Sequence, residues 1–214
     1  MPSLADLIPD DIFVGTSLIL GRDGRFLYGI RPLKQAGGRQ FLELTGIGGG
    51  LEKQDATYTA GVRREAVEET GSDATIIDCP STWVVRGPDQ VEQLALTGEQ
   101  RPAALVYRNF RTPPHRPWHP DNRGAAWLIV FLGQLATEPA PTMELPWLIW
   151  LSAEQVVQTA RQDVLLPDLL AGGAQLIGRP GAPRPPATVT RLTDSQEALI
   201  LALGDQALGV YEGW

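Results

Sequence analysis

Val62-Arg63-Arg64-Glu65-Ala66-Val67-Glu68-Glu69-Thr70-Gly71 decides the reading of this chain, together with the Gly48-Gly49-Gly50 turn shortly before it. Glu65 stands three residues before Glu68 and four before Glu69. On a helix those spacings bring the three carboxylates close together on one side. Like charges so placed cost a few tenths of a kcal/mol per pair on an exposed helix. A bound hard cation removes that cost, and Mg²⁺ and Mn²⁺ are the ions that take oxygen ligands and suit phosphate chemistry.

Local signals predict that helix over about Thr57 to Thr70. Asp55 and Thr57 both have side chains that cap helix starts. Ala56, Ala60 and Val67 recur at helical period, which predicts an apolar stripe roughly opposite Glu65 and Glu69. Gly71 is placed to end the helix in a left-handed conformation.

Turn and helix together resemble the Nudix box: Gly, five residues, Glu, seven residues, then Arg-Glu-aliphatic-x-Glu-Glu-x-Gly-aliphatic. Arg64, Glu65, Ala66, Glu68, Glu69 and Gly71 fall on the second half without a gap. The first half departs from the pattern. Counting back from Arg64 puts Gly50 in the glycine position and Ala56 where the first acid belongs. A shift by one puts Gly49 and Asp55 there, with one extra residue before Arg64. The second alignment keeps an acid, and it keeps the Gly-Gly-Gly-Leu-Glu run typical of the family turn. Ser72 replaces the last aliphatic residue. The box covers about a tenth of the chain.

The rest of the chain agrees with one soluble domain plus additions. It has 214 residues, with 43% hydrophobic and 20% charged, which is ordinary globular usage. The net charge of -7 gives no general electrostatic attraction to nucleic acid. Cys79, the one cysteine, excludes an intrachain disulfide and reads as a small buried hydrophobe. No basic leader and no apolar run of membrane-spanning length is visible, so a cytoplasmic location without a membrane partner is the default.

Strand signals surround the helix. Phe13 to Leu20 and Phe26 to Ile30 flank the Arg22-Asp23-Gly24-Arg25 turn as a hairpin. Phe41 to Ile47 runs into the glycine turn. Ala74 to Val85, broken at Pro80, then Val91 to Leu96, Ala103 to Phe110, Ala126 to Leu135 and Leu148 to Leu151 complete the set. Ser152-Ala153-Glu154-Gln155 reads as a capping box opening a helix to about Arg161. Pattern alone gives mixed α/β; the resemblance implies an α/β/α sandwich with a mixed sheet.

Residues 1–177 are thus expected to form the Nudix-type domain. Within it, 111–125 is a Pro-rich loop insertion carrying Trp118, a candidate lid. His115 and His119 share that loop, but prolines at 117 and 120 preclude the regular helix that would align them. Residues 178–187 read as a Gly/Pro-rich linker. The short tail 188–214, helical over Asp194 to Leu203, is expected to pack on the core or on a second subunit as a homodimer.

The resemblance implies hydrolysis of a nucleoside diphosphate linked to another moiety. Glu65, Glu68 and Glu69, with a carbonyl of Gly49 or Gly50, would hold Mg²⁺ or Mn²⁺. Glu65 or Glu144 would accept the proton of the attacking water, Arg64 would hold a neighbouring carboxylate, and Asp55 would cap or brace the helix start. Pro88 stands about sixteen residues beyond the box, where ADP-ribose-cleaving members often carry a proline. Arg86 would meet a phosphate, and Trp83, Tyr107 and Trp118 would offer stacking surfaces. ADP-ribose or a nucleotide sugar is therefore ranked first. The alternatives are a nucleoside triphosphate pyrophosphohydrolase and a Nudix-fold module that binds a nucleotide without cleaving it.

Overall fold

Leu18, Ile19 and Leu20 are all buried, and so are Ile129, Val130 and Phe131. Successive side chains on a strand point to opposite faces. Runs that are apolar on both faces therefore need a layer on each side of the sheet. The chain supplies both layers.

The computed structural model describes residues 1–36, 39–98, 100–109 and 125–211. In chain order the strands are β1 (Phe13–Arg22), β2 (Arg25–Ala36), β3 (Arg39–Thr45), β4 (Ala74–Ile77), β5 (Thr82–Gly87), β6 (Gln90–Leu94), β7 (Ala104–Asn109), β8 (Ala125–Leu135), β9 (Trp147–Ser152), β10 (Val164–Leu165), β11 (Gln175–Gly178) and β12 (Val189–Leu192). The helices are α1 (Leu4–Leu7), α2 (Tyr58–Thr70), α3 (Ala153–Arg161), α4 (Leu166–Ala171) and α5 (Asp194–Leu203), followed by a 3-10 segment over Gly204–Val210. The sheet runs β10-β12-β3-β2-β1-β8-β7-β5-β6, with β9 and β4 branching from β2 and β8 and β11 pairing β9. It is mixed: β1 with β8, β3 with β12 and β5 with β7 are parallel, and the other pairs are antiparallel.

Each face has its own core. Leu18, Leu20, Ile129 and Phe131 pack with Val62 and Ala66 of α2. Ile19, Val130, Phe26 and Tyr28 pack on the opposite face with Val156, Val157 and Ala160 of α3 and with Leu199, Ile200 and Leu203 of α5. The result is an α/β/α sandwich around a mixed sheet, as the resemblance implies.

Two expectations are corrected. The stretch after residue 187 is more than a helical tail. Its first residues form β12, which pairs in parallel with β3 and antiparallel with β10. Leu192, Leu199, Ile200, Leu203, Ala207, Val210 and Tyr211 then join the same buried cluster as Phe26 and Tyr28. Fully burying one Leu or Ile is worth roughly 1.5–3 kcal/mol, so this segment is held by the core itself. The division drawn at residue 178 is therefore not a division of the core. Val-Thr-Arg-Leu is too short and too mixed to announce a strand by pattern.

The second correction concerns α2. Thr57 is its N-cap, accepting from the Ala60 N–H at 3.0 Å, and Gly71 ends it at φ 67. The proposed stripe is not its core face. Ala56 and Ala60 are exposed and Val67 is 48% exposed. The buried residues are Gly61, Val62, Glu65, Ala66, Glu69 and Thr70. The helix is rolled so that two carboxylates turn inward, which no apolar periodicity could register.

Candidate active site

The glycine turn is laid along β1 as an irregular partner strand. Leu18 donates its N–H to Ile47 O at 2.7 Å, and Thr16 donates to Gly49 O at 2.8 Å. Isolated bridges join Leu18 with Ile47 and Gly15 with Gly50. The turn thereby passes directly over the inward face of α2. A Cβ on Gly49 would lie 2.4 Å from Glu65 Oε1, so no larger residue fits there without moving the carboxylate.

Glu65 and Glu69, one turn apart, are both buried, Glu69 completely. Gly48 donates its N–H to Glu69 Oε2 at 2.9 Å. Glu69 Oε1 has no hydrogen bond, although Arg31 Nη2 stands 3.5 Å away. Burial pushes the Glu69 carboxyl up to about 8; the Gly48 N–H and Arg31 oppose the rise, while Glu65 and Glu144 add to it. Glu65 is also raised, first by burial, with Arg64 opposing and with Glu68 and Glu144 adding. Desolvation and crowded like charges both favour the protonated acid.

Arg64 is the hub on the solvent side of this pair. Its Nε and Nη2 reach Asp55 Oδ1 and Oδ2 at 3.2 and 3.1 Å. Nη1 reaches Glu65 Oε1 at 3.0 Å and Glu68 Oε2 at 2.8 Å. Nη2 also donates to Gly50 O at 3.0 Å. One planar fork thus ties the turn, the segment before the helix and the helix itself. Asp55 does not cap the helix. Its Oδ2 accepts the Glu52 N–H at 2.8 Å, and the bond from Arg64 holds its carboxyl below the usual carboxylate range. Asp55 and not Ala56 carries the contact to Arg64, and Ala56 is exposed. The geometry therefore favours the alignment through Gly49 and Asp55.

The predicted ligand set is only partly brought together. Glu65 and Glu69 face the glycine turn. Glu68 lies on the outer side, its carboxylate 45% exposed and bonded to Arg64. The carbonyls of Gly49 and Gly50 are already engaged, by Thr16 and Arg64 respectively. Among the described residues no three His, Cys, Asp or Glu side chains form a metal-ligating group. Glu144 is exposed, yet close enough to raise both inner carboxyls. Arg31 was missed at the sequence level. It follows Leu27 and Gly29 at period two on β2, so an arginine on the inward face of an apolar strand was the available signal.

The residues proposed for substrate lie elsewhere. Arg86 is ion-paired with Glu92, and its guanidinium carbon is 6.0 Å from the Trp127 ring centre. Arg86 and Pro88, with Tyr107, Arg108 and Arg191, rim a cavity of about 710 Å³ between β5, β7 and α5. Ala198, Leu201 and Ala202 of α5 line it. Arg108 and Arg191 share Glu197 at 3.5 and 3.4 Å. Trp118, His115 and His119 lie outside the described residues, as does all but residue 125 of the expected 111–125 insertion. No helix among the described residues is long and apolar enough to cross a membrane.

No family model matches the sequence, and no curated protein matches it. Solved structures do resemble it. A NUDIX-family hydrolase from Clostridium perfringens matches over 94% of this chain and 98% of its own, with 16% identity and a TM-score of 0.46. A structure described as a possible asymmetric diadenosine tetraphosphate hydrolase, from Jonesia denitrificans DSM 20603, matches over 95% and 98%, with 13% identity and a TM-score of 0.47. A NUDIX hydrolase from Nitrosomonas europaea matches over 68% and 75%, with 15% identity and a TM-score of 0.41. In its residues from Gly49 to Gly71, and weakly in the course of its backbone, the chain is similar to the NUDIX hydrolases.

Proposed function

We propose that this chain is a divalent-cation-dependent hydrolase of the Nudix type, acting on the pyrophosphate bridge of a nucleoside diphosphate linked to another moiety. The observation that carries the reading is the pair of buried carboxylates, Glu65 and Glu69, under the glycine turn. Two acids so buried destabilise the fold unless they are protonated or share a cation. The unsatisfied Oε1 of Glu69 and the all-oxygen donor set fit Mg²⁺ or Mn²⁺. A module that only binds nucleotide has no need of this pair.

In this reading Glu65 and Glu69 would hold the cation, with Glu68, bonded here to Arg64, as the third candidate ligand. The Gly49 carbonyl accepts both the Thr16 N–H at 2.8 Å and the Thr16 hydroxyl at 3.4 Å, so it would contribute a ligand only with that hydroxyl turned away. A bound divalent ion supplies charge neutralisation on the bridging oxygens and lowers the pKa of the attacking water. Water attacks one phosphorus of the bridge, the bond from that phosphorus to the bridging oxygen breaks, and Glu65 or Glu144 accepts the water proton. Arg64 and Asp55 hold the helix and turn in register and touch no substrate. Arg31, beside Glu69, is the guanidinium that would meet a substrate phosphate.

ADP-ribose or a nucleotide sugar remains the substrate ranked first. The support is the place of Pro88 about sixteen residues beyond the box; the cavity of about 710 Å³ beside α5 lies on the face of the sheet opposite α2 and carries no part of the ranking. The test is incubation with ADP-ribose, a nucleotide sugar, dNTPs and a dinucleoside polyphosphate, with and without Mg²⁺. AMP release from ADP-ribose, or nucleoside monophosphate release from the sugar nucleotide, should exceed turnover of the others and require the metal. Preferential pyrophosphate release from a dNTP would reverse the substrate ranking. Binding without turnover of any of them would leave a binding module.

A further inference from the structure

Behind the glycine turn, on the side away from α2, lies a buried polar cluster that the chemistry above does not use. Gln196 of α5 is 1% exposed and Ser17 of β1 is 9% exposed. The Gln196 side chain donates from Nε2 to Ser17 Oγ at 3.3 Å and accepts from the Tyr28 hydroxyl at 2.5 Å. Tyr28 in turn meets the Tyr211 hydroxyl at 3.4 Å. The amide reaches this spot because α5 is anchored at its start, where Thr193 donates its N–H to Leu44 O at 3.1 Å at the end of β3.

The cluster touches the turn at Gly46. A Cβ there would stand 2.3 Å from Gln196 Nε2 and 2.6 Å from Ser17 Oγ, so the backbone rests directly on the two side chains. One residue later Ile47 O takes the Leu18 N–H, and the next residue, Gly48, gives its N–H to Glu69. Ser17 sits between Thr16, which holds Gly49 O, and Leu18, which holds Ile47 O. Gln196 therefore contacts both sides of the short ladder that aims the Gly48 N–H at Glu69.

We propose that Gln196 is a positioning residue: through Ser17 and Gly46 it fixes the turn that holds Glu69 in place, making the C-terminal segment part of the framework of the site. The consequence for metal rests on the reading of Glu65 and Glu69 as cation ligands; the consequence for the turn does not.

The full chain is compared with Gln196→Met, which keeps the volume and removes both hydrogen bonds, with Ser17→Ala, which removes the bond nearest the turn, and with Tyr28→Phe, which removes the bond on the far side of the amide. Amide hydrogen exchange over residues 46–50 is measured without metal, and Mn²⁺ binding is measured by titration. Gln196→Met and Ser17→Ala should speed exchange at Gly48 about tenfold and weaken Mn²⁺ binding by about the same factor, the usual size of an effect from behind a ligand. Tyr28→Phe should lower the melting temperature while leaving both readouts at wild-type values. If wild type binds no Mn²⁺, the ligand reading fails, and the exchange data alone decide the positioning role. Unchanged exchange at Gly48 in folded Gln196→Met overturns it, and so does an equal change in Tyr28→Phe.

Discussion

Two helices on opposite faces of one sheet obey different rules. α3 is built as a surface helix should be. Ser152 and Gln155 form a capping box, Glu154 lies in the first turn and Arg161 in the last, and Val156, Val157 and Ala160 face the core. α2 has no acid in its first turn and no base in its last, while Glu65, Glu68 and Glu69 crowd toward its negative end. It buries two of those acids and leaves Val67 outside. Both helices have a side-chain N-cap and an apolar core face, but the placing of charge that suits α3 is reversed in α2. Sequences that fold cleanly are consistent at all levels, and local violations concentrate at functional sites. Under the proposed function, the contrast fits α3 as scaffold and α2 as the helix that carries the chemistry.

The largest expected effect comes from making α2 more like an ordinary helix. Glu69→Gln keeps the shape and removes the buried charge. Turnover should fall about a hundredfold or more, since several kcal/mol of charge stabilisation depend on the ligand. Mn²⁺ affinity should fall with it. Stability of the metal-free protein should move the other way. The folded Glu69 carboxyl, at about 8, lies above its ordinary 4.5, so its contribution is fully present below the lower value and is lost as pH rises through the upper one. Wild type should therefore lose stability across about pH 4.5 to 8, and Glu69→Gln should lack that slope and be the more stable protein at pH 9. Urea titrations at pH 5, 7 and 9 check this. A variant that keeps the wild-type slope would show that another group carries it.

Arg64→Lys is the next step down. The charge stays, but a single ammonium cannot span Asp55, Glu65, Glu68 and the Gly50 carbonyl at once. Stability should drop by about 1–3 kcal/mol, the range for leaving such groups unsatisfied. Turnover should drop about tenfold by loosening the turn. Thermal unfolding and steady-state rates separate the two. A drop in stability with unchanged kcat would make Arg64 a structural brace alone.

The departures of α2 explain what could be read in advance. Strands β1, β2, β7, β8 and β9 and helices α2, α3 and α5 all follow from apolar runs, turn residues and caps, which are local signals. So does the resemblance from Gly49 to Gly71. The roll of α2 was misread because Ala56, Ala60 and Val67 supply an apolar period that the fold does not use. What turns Glu65 and Glu69 inward is the glycine turn lying on β1, a contact between distant segments. The role of Gln196 is hidden for the same reason, and that of Arg31 shows only as an arginine on the inward face of β2, since each acts on α2 or its turn from another part of the chain. β12 was missed because its partner β3 lies about 150 residues earlier and four residues carry little pattern of their own. Ala56→Glu tests the part that the geometry did sort out. Ala56 is exposed and Asp55 already occupies Arg64, so the added acid should leave turnover unchanged, whereas a clear gain would restore the alignment through Gly50.

The smallest effects compare the two helix starts directly. Thr57 caps α2 through one bond to the Ala60 N–H, and Ser152 caps α3 through the Gln155 N–H. Thr57→Ala and Ser152→Ala should each cost about 1 kcal/mol of stability. Neither should change Mn²⁺ affinity or kcat. For Ser152 the reason is that α3 belongs to the other face of the sheet. For Thr57 the reason lies within α2. Glu65 and Glu69 sit two and three turns beyond the cap, and they are held by Gly48, Arg31 and Arg64 rather than by the first turn of the helix. Fraying at Tyr58 then stops short of the carboxylates. Chemical denaturation gives the two stabilities, and Mn²⁺ titration gives the affinities. Weaker Mn²⁺ binding in Thr57→Ala than in Ser152→Ala would mean that the carboxylates depend on the helix as a whole, and that the grip of the turn and of Arg64 is looser than their distances indicate.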